Sequence, residues 1–183
     1  MFLYNEGKRQ EIRVAKIQGE YKVMAQLCNK YLNNLLHMDY PMVGQDIHEE
    51  MQWSFYNLAL ATKKMGDVQK AYTLAKKALT YCMFRDINHT YNCLLLGECS
   101  FEIGNVQESV EMLDICVIYF DLIGERRYSL YCSFNKAKAL NDMLGMEVSI
   151  RYYEENEKTK HLNRGDTMLE EMRMELEYRC YAS

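Results

Sequence analysis

The sequence predicts an all-α fold made of antiparallel helix pairs. Only one proline and nine glycines occur among 183 residues, and β-sandwiches and barrels usually need more turn residues than that. Glycine turns recur at intervals of 47, 38 and 41 residues, with a helix-periodic segment on either side of each. A recurrence of about 40 residues is typical of an α-solenoid. The turns contain Gly19, Gly66, Gly104 and Gly145.

These turns divide the chain, residues 1–183, into the helix pairs of one predicted repeat domain. The predicted pairs cover about residues 5–35, 48–84, 89–122 and 127–160, and a further helix covers about 166–181. We expect an irregular connector around Asp39–Asp46, because Pro41 disfavours helix in the residue before it. A second break is expected near residues 163–166. The last helix either caps the array with a polar outer face or forms a dimer.

Composition indicates whether the chain folds, what it is unlike and in which compartment we expect it. An apolar share of 49% predicts a folded chain, and a net charge of −4 argues against nucleic-acid binding. No stretch resembles a signal peptide or a membrane span, so we expect a cytoplasmic protein without membrane association. Seven cysteines occur without a CxxC pair, which predicts reduced thiols and no structural zinc. Five of them lie in helix-periodic stretches: Cys82, Cys93, Cys99, Cys116 and Cys132.

The sequence contains no local motif for catalysis. The segment HEE at residues 48–50 is not the HExxH of zinc hydrolases, and GxxxxGK, GxGxxG and GxSxG do not occur. None of the four histidines shares a ligand spacing with another histidine or a cysteine. We therefore expect no enzymatic activity, no catalytic residue, no metal and no cofactor.

The two central pairs resemble tetratricopeptide repeats. Small residues recur along the second helix of the first of these pairs, at Ala71, Ala75 and Ala78. The first helices carry Phe55, Leu58 and Ala59, and then Leu96 and Gly97, at the positions where the repeats have a large residue followed by Leu-Gly or Leu-Ala. The resemblance implies a right-handed superhelix. Its small residues would let paired helices approach closely, and its first helices would line a concave groove.

This resemblance also implies which side chains face the groove. The first pair contributes a basic end, because Arg9, Arg13 and Lys16 lie four and three residues apart on one helix face. Aromatic residues occupy the middle, and acidic residues lie toward the far end. Positions carried over to the fourth pair are Cys132, Asn135, Ala139 and Asp142. An extended peptide could place its carboxylate at the basic end and a basic group at the acidic end. The alternative for each residue is structural: a solvated charged face, or an aromatic residue in the core.

Three longer segments narrow the resemblance to one group of regulators. These segments are "YNLALATKKMGDVQKAYTLAKKAL", "LLLGECSFEIGNVQESVEMLDICVIYFDLIGERR" and "SIRYYEENEKTKHLNRG". They resemble the tetratricopeptide half of the peptide-pheromone regulators of Gram-positive bacteria and their phages, which include the Rap, NprR and PlcR types and the arbitrium receptors. The resemblance implies a cytoplasmic sensor whose groove asparagines and arginine hold a short peptide. Asn57, Asn135 and Arg85 are the candidates here.

The N-terminal effector part of those regulators does not precede Met1 in this sequence. We therefore do not expect their DNA binding or phosphatase activity here. The chain would be a stand-alone sensor, a truncated relative that competes with a full-length one, or part of a longer receptor.

These features lead to two functional hypotheses. In the first, a non-enzymatic regulator binds a short signalling peptide in its groove and changes its interaction with a protein partner or a second copy. In the second, the chain is an adaptor or antagonist that pairs with a larger protein and takes no small ligand. The predicted peptide-binding residues are Arg9, Arg13, Trp53, Tyr56, Asn57, Lys63, Arg85, Tyr91, Glu98, Asn135 and Asp142.

Overall fold

The described part of the chain is helical apart from short turns. The computed structural model describes residues 2–37, 45–82, 86–160 and 167–182. The helices in these ranges are α1 (Phe2–Ile17), α2 (Tyr21–Leu36), α3 (Gln45–Lys64), α4 (Val68–Leu79), α5 (Ile87–Glu102), α6 (Val106–Leu122), α7 (Arg126–Ala139), α8 (Met143–Lys160) and α9 (Thr167–Ala182). No strand occurs in them. The predicted all-α fold is confirmed.

Two predicted interruptions fall largely outside the described residues. The connector around Asp39–Asp46 covers residues 38–44, which are not described, although Asp46 already belongs to α3. The break near residues 163–166 lies outside them as well.

Three of the four predicted turns use the expected glycine. Gly19, Gly66 and Gly104 have φ of +72°, +88° and +85°, a region that glycine adopts without the steric cost of a Cβ. The residue after each glycine is the N-cap of the following helix. In α4, for example, Asp67 Oδ1 accepts a hydrogen bond from the backbone N–H of Lys70 at 3.2 Å. Each turn therefore combines a helix stop with a helix start.

The fourth turn differs from the prediction. Its left-handed residue is Asn141, with φ of +56°, whereas Gly145 lies inside α8. Asparagine tolerates this conformation better than most residues. Gly145 instead donates its N–H to Asp142 Oδ1 at 2.9 Å, and a Cβ on it would collide with that carboxylate. The prediction of a turn at Gly145 was therefore wrong by four residues.

This shift changes which side chains of α7 match the groove positions. Counted from Asn141, Asn135 still falls on a groove position. Cys132 and Ala139, which the glycine alignment had placed in the groove, are buried in the structure. Asp142 lies at the start of α8, where it accepts the hydrogen bond from Gly145.

The chain divides into two compact units, Met1–Ile103 and Gly104–Ser183. The assignment of residues 1–183 to a single domain stays a prediction. In the first unit, consecutive helices pack against each other from α1 to α5, and α3 also contacts α5. A contact between alternate helices is what a stack of helix pairs requires.

The core of the first unit joins α1, α2 and α3. Ile12, Met24 and Tyr31 are almost fully buried in it, together with Phe55 and Ala78 from α3 and α4. The alanines that suggested close packing, Ala71, Ala75 and Ala78, are all fully buried. Side chains without bulk at these positions let α4 lie close to its neighbours.

A buried carboxylate lies at the edge of this core. Glu50 of α3 is 9% exposed. Its Oε2 accepts hydrogen bonds from Arg9 Nε at 3.0 Å and from Tyr31 Oη at 2.7 Å. Burial and the neighbouring Glu50 carboxylate raise the pKa of Tyr31 well above its usual range. One side chain thus connects three helices through two charge-assisted hydrogen bonds.

The second unit has its own core, to which α9 belongs. Phe134, Met146 and Tyr153 pack with the fully buried Met172 of α9. Arg179 Nη1 of α9 donates to the carbonyl of Lys138 at 3.3 Å, and Lys138 Nζ lies 3.2 Å from Glu175 Oε2. Helix α9 therefore covers α7 and α8. The outer face of α9 is less polar than the prediction of a capping helix requires, because three large apolar side chains are exposed there: Met174, Tyr178 and Tyr181.

Two further features of the structure concern the burial of the cysteines and the hydropathy of the helices. All seven cysteines are free, and four of the five expected to be buried are buried, while Cys82 is half-buried. Among the described helices, none combines the length and hydropathy that crossing a membrane requires.

Replacing Gly66 by alanine will lower the free energy of unfolding by about 1–2 kcal/mol, because its left-handed conformation disfavours a Cβ. Gly7 is the matched control. It lies inside α1 with nothing within 4 Å of an added Cβ, so Gly7→Ala will stabilise the protein by about 0.5–1 kcal/mol. Urea denaturation measures both effects. Equal effects of the two substitutions would contradict the assigned turn.

Replacing Glu50 by glutamine will lower the free energy of unfolding by about 2 kcal/mol, because the half-buried Arg9 loses its closer counter-charge and Tyr31 loses a charged acceptor. Glu49 is the adjacent control. Its side chain is 57% exposed and lies 3.8 Å from Arg9 Nη2, so Glu49→Gln will cost less than about 0.5 kcal/mol. Urea denaturation at one salt concentration compares the two variants. A Glu50 effect no larger than that of Glu49 would show that the buried carboxylate does not hold the helices together.

Candidate functional site

A cleft of about 210 Å³ opens in the first unit between α1, α3 and α5. It combines two cationic side chains, three aromatic rings and three amides. Its lining residues are Arg13, Lys16, Gln52, Trp53, Tyr56, Asn57, Asn88 and Tyr91. The structure therefore brings together five of the predicted binding residues, Arg13, Trp53, Tyr56, Asn57 and Tyr91. The first helices of three successive pairs supply them.

The basic end of the cleft comes from α1. Arg13 Nη1 lies 2.8 Å from Glu6 Oε1 on the same helix, and both side chains are about half exposed. Lys16 Nζ lies 5.9 Å from the centroid of the Tyr56 ring, within cation–π range. Within the described residues no carboxylate pairs with Lys16, and burial lowers its pKa. An anionic group entering the cleft would therefore meet an ammonium that no described counter-charge neutralises.

Two buried amides from α3 lie in the same cleft. Asn57 is 4% exposed, and its Nδ2 donates to the carbonyl of Trp53 at 2.8 Å. This bond secures the side chain against its own helix and leaves Oδ1 available to accept. Gln52 is 5% exposed, and its amide makes no hydrogen bond within the described residues. Because this side chain lines the cleft, its amide donor and acceptor are available to a ligand that enters.

Arg9 lies beside the cleft and does not line it. Its guanidinium is bound to Glu50 and lies 5.1 Å from the centroid of the Trp53 ring. Arg9 thus supports the aromatic wall from behind. A direct role in ligand binding stays a prediction for this residue.

Lys63 and Glu98 bind each other. Lys63 Nζ lies 2.7 Å from Glu98 Oε2 and 3.0 Å from Glu102 Oε1. Burial opposes the charge of Lys63, but the two carboxylates outweigh it and raise its pKa. The predicted acidic and basic residues at this end therefore form a mutual cluster with one excess negative charge. A ligand group would have to compete with that cluster.

The remaining predicted residues lie elsewhere. Asn135 belongs to the second unit, where its Nδ2 donates to the carbonyl of Tyr131 at 3.0 Å, the same arrangement as in Asn57. Asp142 belongs to the second unit too. Arg85 lies outside the described residues. Ligand binding by these three residues stays a prediction.

A second cavity of about 130 Å³ lies at the start of α3 and α5. Its lining residues are His48, Glu49, Gln52, Tyr81, Cys82, Asp86 and Asn88. Gln52 and Asn88 also line the cleft, so these two residues are common to both spaces.

Burial affects the thiol that lines the second cavity and a histidine near it. Burial raises the pKa of the Cys82 thiol to about 12, so it stays protonated and weakly nucleophilic at neutral pH. His89, next to the second cavity, has its pKa lowered by burial and is neutral there. Within the described residues, no group of three or more His, Cys, Asp and Glu side chains is placed to hold a metal ion.

Sequence reasoning missed Gln52 and Asn88 because the repeat resemblance assigns no groove position to them. Helical periodicity alone could have found both. Gln52 lies four residues before Tyr56, and Asn88 lies three residues before Tyr91, so each shares a helix face with a predicted residue.

Comparisons with known proteins identify the fold. TPR-like repeats of a kinesin light chain from Podosopora anserina match at 14% identity with a TM-score of 0.58, covering 93% of this chain and 82% of that chain. A form of these repeats with a single substitution matches at 15% identity with a TM-score of 0.51, covering 94% and 81%. No protein-family model and no curated protein matches the sequence. The chain has a TPR-like helical-repeat fold, and the narrower resemblance to peptide-pheromone regulators remains an expectation from its sequence.

Proposed function

We propose that this chain is a non-enzymatic regulatory protein that binds a short signalling peptide in the cleft between α1, α3 and α5. The main support for the proposal is the Gln52 side chain, which is 5% exposed, makes no hydrogen bond within the described residues and lines the cleft together with aromatic and basic side chains. The TPR-like fold supports it, because repeats of this kind present extended binding surfaces.

The cleft matches the groups that an extended peptide carries. Its apolar side chains would pack between Trp53, Tyr56 and Tyr91. The Gln52 and Asn57 amides would bind its main chain, since a side-chain amide offers both a donor and an acceptor. A peptide carboxylate would lie near Lys16, whose ammonium no described carboxylate neutralises.

Regulation would follow from the position of the cleft across three helix pairs. A peptide that contacts α1, α3 and α5 together would favour one relative placement of these helices over others. The surface presented to a protein partner or a second copy would then depend on the peptide.

An adaptor function is the second candidate, because α6 carries an exposed apolar stripe. Ile118 is 70% exposed and Leu122 is 82% exposed, and Ile115 lies on the same face. Exposed aliphatic residues at helical spacing are typical of a surface that another protein covers. This surface needs no peptide.

The test is selection of a displayed library of random heptapeptides on the immobilised protein. We expect enriched peptides, and Trp53→Ala will weaken binding of a selected peptide about 30-fold, the usual cost of losing an aromatic hot spot. Ile118→Ala is the control, since it removes a similarly apolar side chain from the α6 stripe, and it will leave the affinity unchanged. Fluorescence anisotropy with the labelled peptide measures both.

Two results would contradict the peptide proposal. One is a selection that enriches no peptide on the native protein. The other is a selected peptide that Trp53→Ala binds as tightly as the native protein does while Ile118→Ala loses it, which would favour the adaptor.

A further inference from the structure

The second cavity offers a place for part of a ligand that the cleft alone does not hold. It shares Gln52 and Asn88 with the cleft. A chain that leaves the cleft past these amides would therefore enter the second cavity. At about 130 Å³, that cavity has room for several atoms of a side chain, since one water molecule needs only about 10–15 Å³ of such space.

Gln52 is the observation that points to a ligand here. It is more than nine-tenths buried, it lines both spaces, and its amide makes no hydrogen bond within the described residues. The amide has the donor and the acceptor that one peptide unit needs.

The charge of the second cavity indicates which chemical group it would accept next to that peptide unit. Glu49 and Asp86 contribute two carboxylates, and neither lysine nor arginine is among the described lining residues. Arg9 reaches Glu49 only at 3.8 Å, and Glu49 remains largely exposed. Asp86 Oδ1 accepts from the backbone N–H of His89 at 2.6 Å, whereas its second oxygen has no partner within the described residues.

An aromatic face completes the cavity. The Tyr81 ring stacks on Phe55 with centroids 5.7 Å apart, and the His48 ring lies nearly perpendicular to it at the same centroid distance. The face of a tyrosine ring attracts a cation. Carboxylates and a fixed aromatic ring together favour a positively charged group and disfavour an anion.

We propose that the second cavity binds a protonated nitrogen of the peptide, while the main chain of the peptide crosses Gln52 between the two spaces. The nitrogen belongs to a lysine or arginine side chain or to the free amino terminus. This inference rests on the proposed function. It adds a charge requirement that the cleft by itself does not impose.

The experiment removes the charge from each side in turn. The protein variant is Glu49→Gln/Asp86→Asn, in which asparagine still caps α5. The peptide is a heptapeptide selected on the native protein, made again with lysine replaced by norleucine, with arginine replaced by citrulline, or with an acetylated amino terminus. Glu147→Gln, an exposed acid in the second unit, controls for net charge, and thermal melting confirms that each variant folds.

We expect the double variant to bind the selected peptide at least about tenfold more weakly, as close charge pairs at interfaces do. Removing the peptide's charge will cost the native protein a similar factor and will cost the double variant nothing further. The peptide modification that causes the same loss of affinity as the double variant identifies the nitrogen as that of a lysine, an arginine or the amino terminus. Glu147→Gln will bind as the native protein does.

One result would overturn this inference and leave the proposed function intact. In that result, removing the charge of a bound peptide weakens its binding equally to the native protein and to the double variant. Selected peptides that bind without a lysine, an arginine or a free amino terminus would do the same. A selection that yields no peptide would overturn the proposed function and this inference with it.

Discussion

The arrangement of the first unit depends on the buried carboxylate of Glu50. A charge withdrawn from water is tolerated only when it is paired and hydrogen-bonded, and here Arg9 from α1 and Tyr31 from α2 meet that requirement on α3. The same Arg9 lies over the Trp53 ring. The contact that fixes α1 against α3 thus also fixes one wall of the cleft.

Polar side chains in the cleft have fewer partners than those that hold the helices of this unit together. Glu50 has two partners and Lys63 has two. Gln52 has none within the described residues, and Lys16 has no described carboxylate. Buried polar atoms without a partner within the described residues also occur elsewhere in this unit, at Ser54 Oγ and Asn92 Oδ1. What distinguishes the cleft is that the Gln52 amide, which makes no hydrogen bond within the described residues, lines a space that a ligand can enter.

The fold could be predicted from the sequence because the signals that begin and end each helix are local. A glycine that ends one helix, followed by a cap that begins the next, specifies Gly66 and Asp67 without any knowledge of the tertiary structure. The same signal failed at Gly145, because Asn141 can adopt the left-handed conformation and Gly145 is needed to make room for Asp142. Contacts between side chains that are far apart in the sequence could not be predicted from such signals. Lys63 and Glu98 are 35 residues apart, and nothing in the local pattern shows that they neutralise each other. Gln52 could be placed on the helix face of Tyr56 from its spacing, but its lack of a hydrogen-bond partner depends on what surrounds it in space.

Native mass spectrometry of the chain isolated from its own cells is the measurement that decides whether the protein holds a peptide in the cleft. We expect a stoichiometric added mass of a peptide of roughly five to ten residues, a length that an extended segment filling such a groove would have. This mass should be absent from a Trp53→Ala/Tyr56→Ala chain isolated in the same way. A native chain that carries a stoichiometric protein partner and no peptide, with the partner retained by the double variant, would contradict it.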